Sequence, residues 1–133
     1  MSDFCQHLQN VDESGAYCLR CPIEVLNGNV ALADFTMFEV NLAGKHGKGE
    51  FLATLAKAIQ APDWFGHNFD ALADALADFS WLNVSAPGYV LLLRNGGDTL
   101  GLTAVEHDIL MGVFQETAEY WKTQGKPFWV FFA

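Results

Sequence analysis

Acidic and aromatic side chains are concentrated in one stretch of the sequence, residues 62–81, which contains four aspartates and no lysine or arginine. The spacing of its apolar residues predicts a helix from Asn68 to Phe79. At about 100° per residue, Asp70, Asp74 and Asp78 fall on one face of this helix and the apolar residues on another. The apolar residues are Phe69, Leu72, Leu76 and Phe79. The pattern predicts a helix that packs one face on a core and presents carboxylates on the other.

Carboxylates at this spacing can recognise a cation. Asp70 and Asp74 are four residues apart, so they are neighbours on the helix surface and their repulsion costs roughly 0.3 kcal/mol. A cationic partner would remove this cost, and the helix dipole offsets part of it for Asp70, near the helix start. An ordinary solvated helix face has the same pattern, so the spacing alone leaves a binding face and a solvated face both open.

Two large aromatic residues, Trp64 and Phe65, precede this helix and are followed by Gly66. Aromatic anchors beside a carboxylate face are typical of the centres of protein interfaces. The same two residues could instead belong to the core. Because they are adjacent, we expect one ring to point inward and the other to stay accessible.

A metal or catalytic site is the alternative for the same helix. His67, Asp70 and Asp74 have i, i+3, i+7 spacing, which could bring them to one helix face and bind a divalent cation. No nucleophile motif or phosphate-binding glycine loop accompanies them. His67 by itself is more typical of a polar residue at a helix start than of a base. We therefore expect neither catalysis nor a cofactor.

The charge of the chain narrows the class of partner. Sixteen acidic residues against seven lysines and arginines give a formal net charge of -9, which repels phosphate backbones and anionic lipids. Binding to nucleic acid or membranes is therefore not expected. The first residues lack the basic start and apolar run of a signal peptide, and no stretch is apolar for long enough to span a membrane. The expected location is the cytoplasm.

Three cysteines leave two hypotheses open. Cys5, His7, Cys18 and Cys21 could together hold a zinc ion. Residues 15–20 read more naturally as a short strand, which would send Cys18 and Cys21 to opposite faces. In a cytoplasmic protein thiols stay reduced, so we expect three free thiols rather than a disulfide or a metal site.

The remaining chain alternates between apolar strands and helices. Strands are predicted at residues 37–42, 89–93 and 127–132, with helices between them. The first helix should end at Ala61, because the residue before a proline avoids helical geometry. The last should run from a Thr103 cap, with Glu106 completing a capping box, to about Gln124, where Gly125 ends it. This order predicts an α/β fold with a small, mainly parallel sheet.

At residues 62–76 the chain reads Pro-Asp-Trp-Phe-Gly-His-Asn-Phe-Asp-Ala-Leu-Ala-Asp-Ala-Leu. It resembles the P-x-[aromatic]-[aromatic]-G-x-N-x-D-A-L-x-D-x-L stretch of the barstar family, and the likeness extends in order over residues 37–133. It implies a three-stranded parallel sheet packed by helices, in a barstar-like domain at residues 36–133. Residues 1–35 would be an N-terminal extension that packs on the same domain and could add a strand.

The resemblance also implies a function, inhibition of a small basic ribonuclease, and a set of binding residues. Asp74 matches the aspartate that enters the ribonuclease active site in place of substrate phosphate, and Asp70 matches a second acid on the same helix. Trp64 stands where a tyrosine packs on the enzyme, and Glu116 resembles an acid that adds a peripheral contact. The other expected binding residues are Phe65, Gly66, His67, Asn68, Ala73 and Trp81.

Two departures from the family pattern bear on the partner. Ala73 stands where the family has a tryptophan, and the segment between Asp74 and Trp81 is longer by about two residues. The position of Trp81 at the interface rim is therefore left open. The target could be a different ribonuclease or another basic toxin, bound by a chain that is a monomer when free. The alternative is an adaptor that keeps the fold and binds a protein other than a nuclease.

Overall fold

The computed structural model of the chain describes residues 4–62, 66, 68–82 and 86–133. Two 3₁₀ turns, Phe4–Gln6 and Val11–Glu13, precede the first strand. The strands are β1 (Ala16–Cys18), β2 (Thr36–Asn41), β3 (Tyr89–Arg94) and β4 (Phe128–Phe132). The helices are α1 (Ile23–Ala33), α2 (Gly47–Ala58), α3 (Phe69–Leu76) and α4 (Ala104–Thr123).

The strands form one parallel sheet in the order β1-β4-β3-β2. β3 is buried from Tyr89 to Leu93, and Leu91 is in register with Phe38 on one side and Val130 on the other. The expected α/β fold with a parallel sheet is confirmed. β2, β3 and β4 are the three strands that the resemblance implies, and β1 is an added N-terminal strand at the edge beside β4.

The sheet is covered on both faces, as parallel sheets require. One face carries alternate strand residues such as Phe38, Leu91 and Val130, which pack against α2, α3 and α4. The opposite face packs against α1 and the segment before β1. Its strand residues are Val90, Leu92, Trp129 and Phe131. We call these the α2–α4 face and the α1 face of the sheet.

The α1 helix is absent from the sequence prediction. It buries only Leu26 and Val30, and its centre reads Asn27-Gly28-Asn29, three residues with poor helix propensity. Pro22 precedes its first residue, and Asp34 ends it in the left-handed conformation with φ of 61°. Tertiary packing on the sheet therefore stabilises a helix that local periodicity does not indicate.

The prediction of three free thiols is wrong for two of them. Cys5 and Cys21 form a disulfide, whereas Cys18 is free and exposed. Both bonded cysteines pack on the α1 face, while Cys18 borders His107 and Met111 of α4. Because β1 ends at Cys18, strand alternation does not extend to Cys21, but Cys18 lies apart from the two bonded cysteines. Within the described part of the chain, no three His, Cys, Asp or Glu residues are grouped so as to hold a metal ion.

The other helices differ from prediction mainly at their ends. α2 ends at Ala58 rather than Ala61, because Gln60 takes a φ of 57° in the turn that follows. α3 ends at Leu76 rather than Phe79. The Thr103 and Glu106 capping box of α4 is present as predicted. Of the helices in the described ranges, none has the length and apolarity to cross a membrane.

Candidate functional site

The apolar face of α3 is fixed to the core. Phe69, Leu72 and Leu76 are buried, and the indole Nε1 of Trp121 on α4 donates a 2.8 Å hydrogen bond to the Leu76 carbonyl. This bond satisfies one of the carbonyls that a helix end leaves unpaired. The helix is thereby attached to α4 at its C-terminal end and to the core along its length.

The α3 helix begins at a capped turn. Asn68 has extended backbone geometry, and its Oδ1 accepts a 2.7 Å hydrogen bond from the Ala71 amide. The Asn68 amide in turn donates to the Gly66 carbonyl at 2.9 Å. A Cβ on Gly66 would lie 3.1 Å from Asn68 Nδ2, so glycine leaves room for the capping side chain. The structure thus brings Gly66 and Asn68 together with the first turn of α3.

Packing also explains why α3 ends early. Phe79 takes a φ of 54°, which places its ring in the core, 5.2 Å from the Phe38 ring and 4.8 Å from the Tyr89 ring between centroids. Burial raises the pKa of the Tyr89 phenol above its usual value. Phe79, three residues beyond the end of α3, is therefore part of an aromatic cluster in the core.

The carboxylates of Asp70 and Asp74 point away from this core. Both residues are exposed, and among the described residues neither carboxylate takes part in an ion pair or hydrogen bond. The ion pairs within the described ranges join Arg94 to Glu39 and Lys122 to Glu119. Asp70 and Asp74 are therefore accessible to a cation from another molecule.

Asp78 differs from the other two aspartates. It lies in the turn after α3, where its Oδ1 accepts a 3.3 Å hydrogen bond from the Ser80 amide. This local contact fixes the turn that leads to Trp81. Asp78 therefore has a structural role in addition to its charge.

Trp81 and Ala73 define the edge of this surface. Trp81 is half-buried, its Nε1 donates a 3.0 Å hydrogen bond to the Ile59 carbonyl, and its ring meets the Phe79 ring at 5.7 Å. Trp81 is thus anchored to the end of α2. Ala73 is half-buried against the core and projects only a methyl group.

Three of the expected binding residues, Trp64, Phe65 and His67, lie outside the described residues, and their roles stay predictions. Glu116 is exposed on α4, the helix against which α3 packs. Lys48 of α2 lies beside Phe69 of α3, a contact that the sequence did not indicate. Its Nζ lies 5.7 Å from the centroid of the Phe69 ring, across 21 residues of sequence that carry no local signal of the contact.

Together these residues present two carboxylates from a short, capped and anchored helix. Such an arrangement can accept charge-assisted hydrogen bonds from guanidinium, ammonium or imidazolium groups.

A family model described as Barstar (barnase inhibitor) matches residues 35–133, from just before β2 to β4. No curated protein matches the chain.

Proposed function

Because the chain belongs to the barstar family, we propose that it is a protein inhibitor that occludes the active site of a basic ribonuclease or ribonuclease-type toxin. The observation that carries this proposal is the exposure of Asp70 and Asp74, which no described residue neutralises. An internal ion pair at either residue would have removed the group that the proposal needs.

The chemistry of the target explains why carboxylates suffice. A ribonuclease gathers arginine, lysine and histidine side chains to hold the phosphates of RNA. A carboxylate can bind in the same positive electrostatic potential and accept hydrogen bonds from the same side chains. Inhibition then requires only that the inhibitor occupy the active site of the ribonuclease, and no reaction takes place on the inhibitor.

Asp74 is proposed as the central contact and Asp70 as the second. Gly66 and Asn68 lie at the helix start, where Trp64, Phe65 and His67 would complete the binding surface. Glu116 would add a peripheral contact from α4. Ala73 offers little side-chain surface, and Trp81 is engaged with Ile59, so the contact beyond Asp74 is expected to rely on shape rather than on a large anchor.

The rigidity of α3 supports tight binding. Its cap at Asn68 and the bond from Trp121 to Leu76 hold the helix before any partner arrives. A preformed surface loses less conformational entropy on binding. The net charge of -9 should also speed encounter with a basic protein, an effect that salt weakens.

The test is inhibition of RNA cleavage by a barnase-type enzyme, titrated with the protein at low and high salt. We expect one-to-one inhibition that weakens as salt increases. Asp74→Asn should lower the affinity by about 3 kcal/mol, the typical cost of removing one partner of a buried charge pair. Asp108→Asn makes the same charge change at an exposed site on α4 and should have little effect.

Failure of excess protein to inhibit any of several basic ribonucleases would refute this proposal. The adaptor hypothesis would then apply, since it keeps the fold and assigns the same surface to another partner. The small Ala73 is the feature that favours it, because it removes a large side chain from the surface. Equal losses for Asp74→Asn and Asp108→Asn would exclude Asp74 from the centre of the contact.

A further inference from the structure

A cleft of about 460 Å³ opens at the carboxyl edge of the sheet. It is bordered by the ends of β1 and β4, the loop after β3 and the first half of α4. In open parallel sheets, ligands bind in crevices outside the carboxyl ends of the strands. The volume is also in the range of small-molecule sites. The lining residues that matter here are Cys18, Asp98, Leu100, His107, Met111 and Phe132.

One wall of this cleft is apolar and preformed. Leu100 is buried, while Met111 and Phe132 are half-buried beside it. Leu100 has a φ of 57°, which residues other than glycine rarely adopt, and a Cβ on Gly96 would lie 2.6 Å from the Leu100 Cδ2. The loop is therefore packed tightly around Leu100. A thioether and a phenyl ring on the same wall favour contact with an aromatic ligand.

The polar rim selects the charge of the ligand. Asp98 is exposed and forms no ion pair with any described residue, and the described residues that line the cleft include no lysine or arginine. His107, half-buried on α4, adds a group that can donate or accept a hydrogen bond. The Asp98 side chain, on a molecule of net charge -9, favours a cation and disfavours an anion.

We propose that this cleft binds a small aromatic amine. The aromatic ring lies against Leu100, Met111 and Phe132, and the ammonium group lies beside Asp98. The site is separate from the described part of the proposed ribonuclease-binding surface, because none of those described residues lines the cleft. Its occupancy is therefore an additional property of the protein.

Phenethylamine and phenylacetate are suitable probes, because they share a ring and differ in the sign of their charge. Cys18 is the free thiol of the chain and lies in the cleft, so its alkylation rate by iodoacetamide reports on occupancy. The methyl resonance of Met111 gives a second readout by NMR. We expect phenethylamine to slow alkylation and shift the methyl signal in a saturable manner, and phenylacetate to do neither.

A matched pair of variants locates the ammonium group. Asp98→Asn should weaken phenethylamine binding about tenfold, as expected for loss of one charge-assisted hydrogen bond. Asp108→Asn, an equal charge change outside the cleft, should leave binding unchanged. The proposal is overturned by the absence of saturation with phenethylamine, by equal binding of phenylacetate, or by equal effects of the two variants. Asp98→Asn should still inhibit a ribonuclease as the unchanged protein does, which keeps this test independent of the proposed function.

Discussion

The two faces of the sheet are covered in different ways. The buried residues of the α2–α4 face all lie within the family match, and this face carries α3, whose outer side presents Asp70 and Asp74. The α1 face is covered by residues that precede the match, and a disulfide joins Cys5 to Cys21 there. The comparison indicates that the added N-terminal segment supports the sheet, whereas the proposed binding groups belong to the family-matched part.

The structural role of the α1 face follows from its buried aromatic residues. Trp129 is fully buried on β4, and its Nε1 donates a 2.8 Å hydrogen bond to the Leu8 carbonyl. Without the segment that contains Leu8, the Trp129 indole would be exposed to solvent. The segment therefore supplies both apolar cover and a polar partner. The predicted domain boundary at residue 35 stays a prediction. The family match begins there, but residues before it pack on the same sheet.

The largest effect is expected from Trp129→Ala. Replacing a buried tryptophan with alanine costs about 4 kcal/mol of unfolding free energy, and here it also leaves the Leu8 carbonyl without its donor. Chemical denaturation measures this loss. Molecules that remain folded should inhibit a ribonuclease normally, because α3 packs on the other face. A loss of inhibition without a loss of stability would contradict the division of roles between the faces.

Asp74→Asn should have the opposite profile. It removes about 3 kcal/mol of binding free energy and changes stability little, since the carboxylate is exposed and has no partner among the described residues. Inhibition titrations and denaturation of the same preparation separate the two quantities. A clear drop in the denaturation midpoint would show that Asp74 supports the fold.

The disulfide should affect stability alone. It closes a loop of 16 residues, and the chain-entropy model assigns about 3 kcal/mol to a loop of this length. Cys5→Ser should lose stability of this order, while Cys18→Ser, at an exposed free thiol, should lose little. Denaturation with and without a reductant provides the measurement. If reductant leaves the midpoint of the unchanged protein where it was, the disulfide contributes nothing.

The same bond bears on location. Disulfides are typical of oxidising compartments and rare in the cytosol. The cytoplasmic location expected from the sequence therefore stays a prediction. It can be tested by measuring the number of free thiols in protein isolated directly from native cells. Three free thiols would fit a reducing compartment, and one would fit an oxidising compartment.

Local signals account for what the sequence predicted. The three core strands, the Thr103 and Glu106 capping box and the exposed aspartates of α3 all depend on residues within a few positions of one another. The disulfide and the bond from Trp81 to Ile59 depend on residues 16 and 22 positions apart. The early end of α3 depends on Phe79, whose ring packs with residues from three other elements. Periodicity carries no information on such contacts.

The smallest expected effect is at the cap of α3. Asn68→Ala removes the side-chain acceptor of the Ala71 amide, which typically costs about 1 kcal/mol. Because α3 has only eight residues, fraying of its first turn should disturb Asp70 more than Asp74. We therefore expect a modest loss of stability together with faster dissociation from a ribonuclease. Asn68→Asp keeps an acceptor and should restore most of the stability, whereas an equal loss for both variants would show that the cap is not what Asn68 contributes.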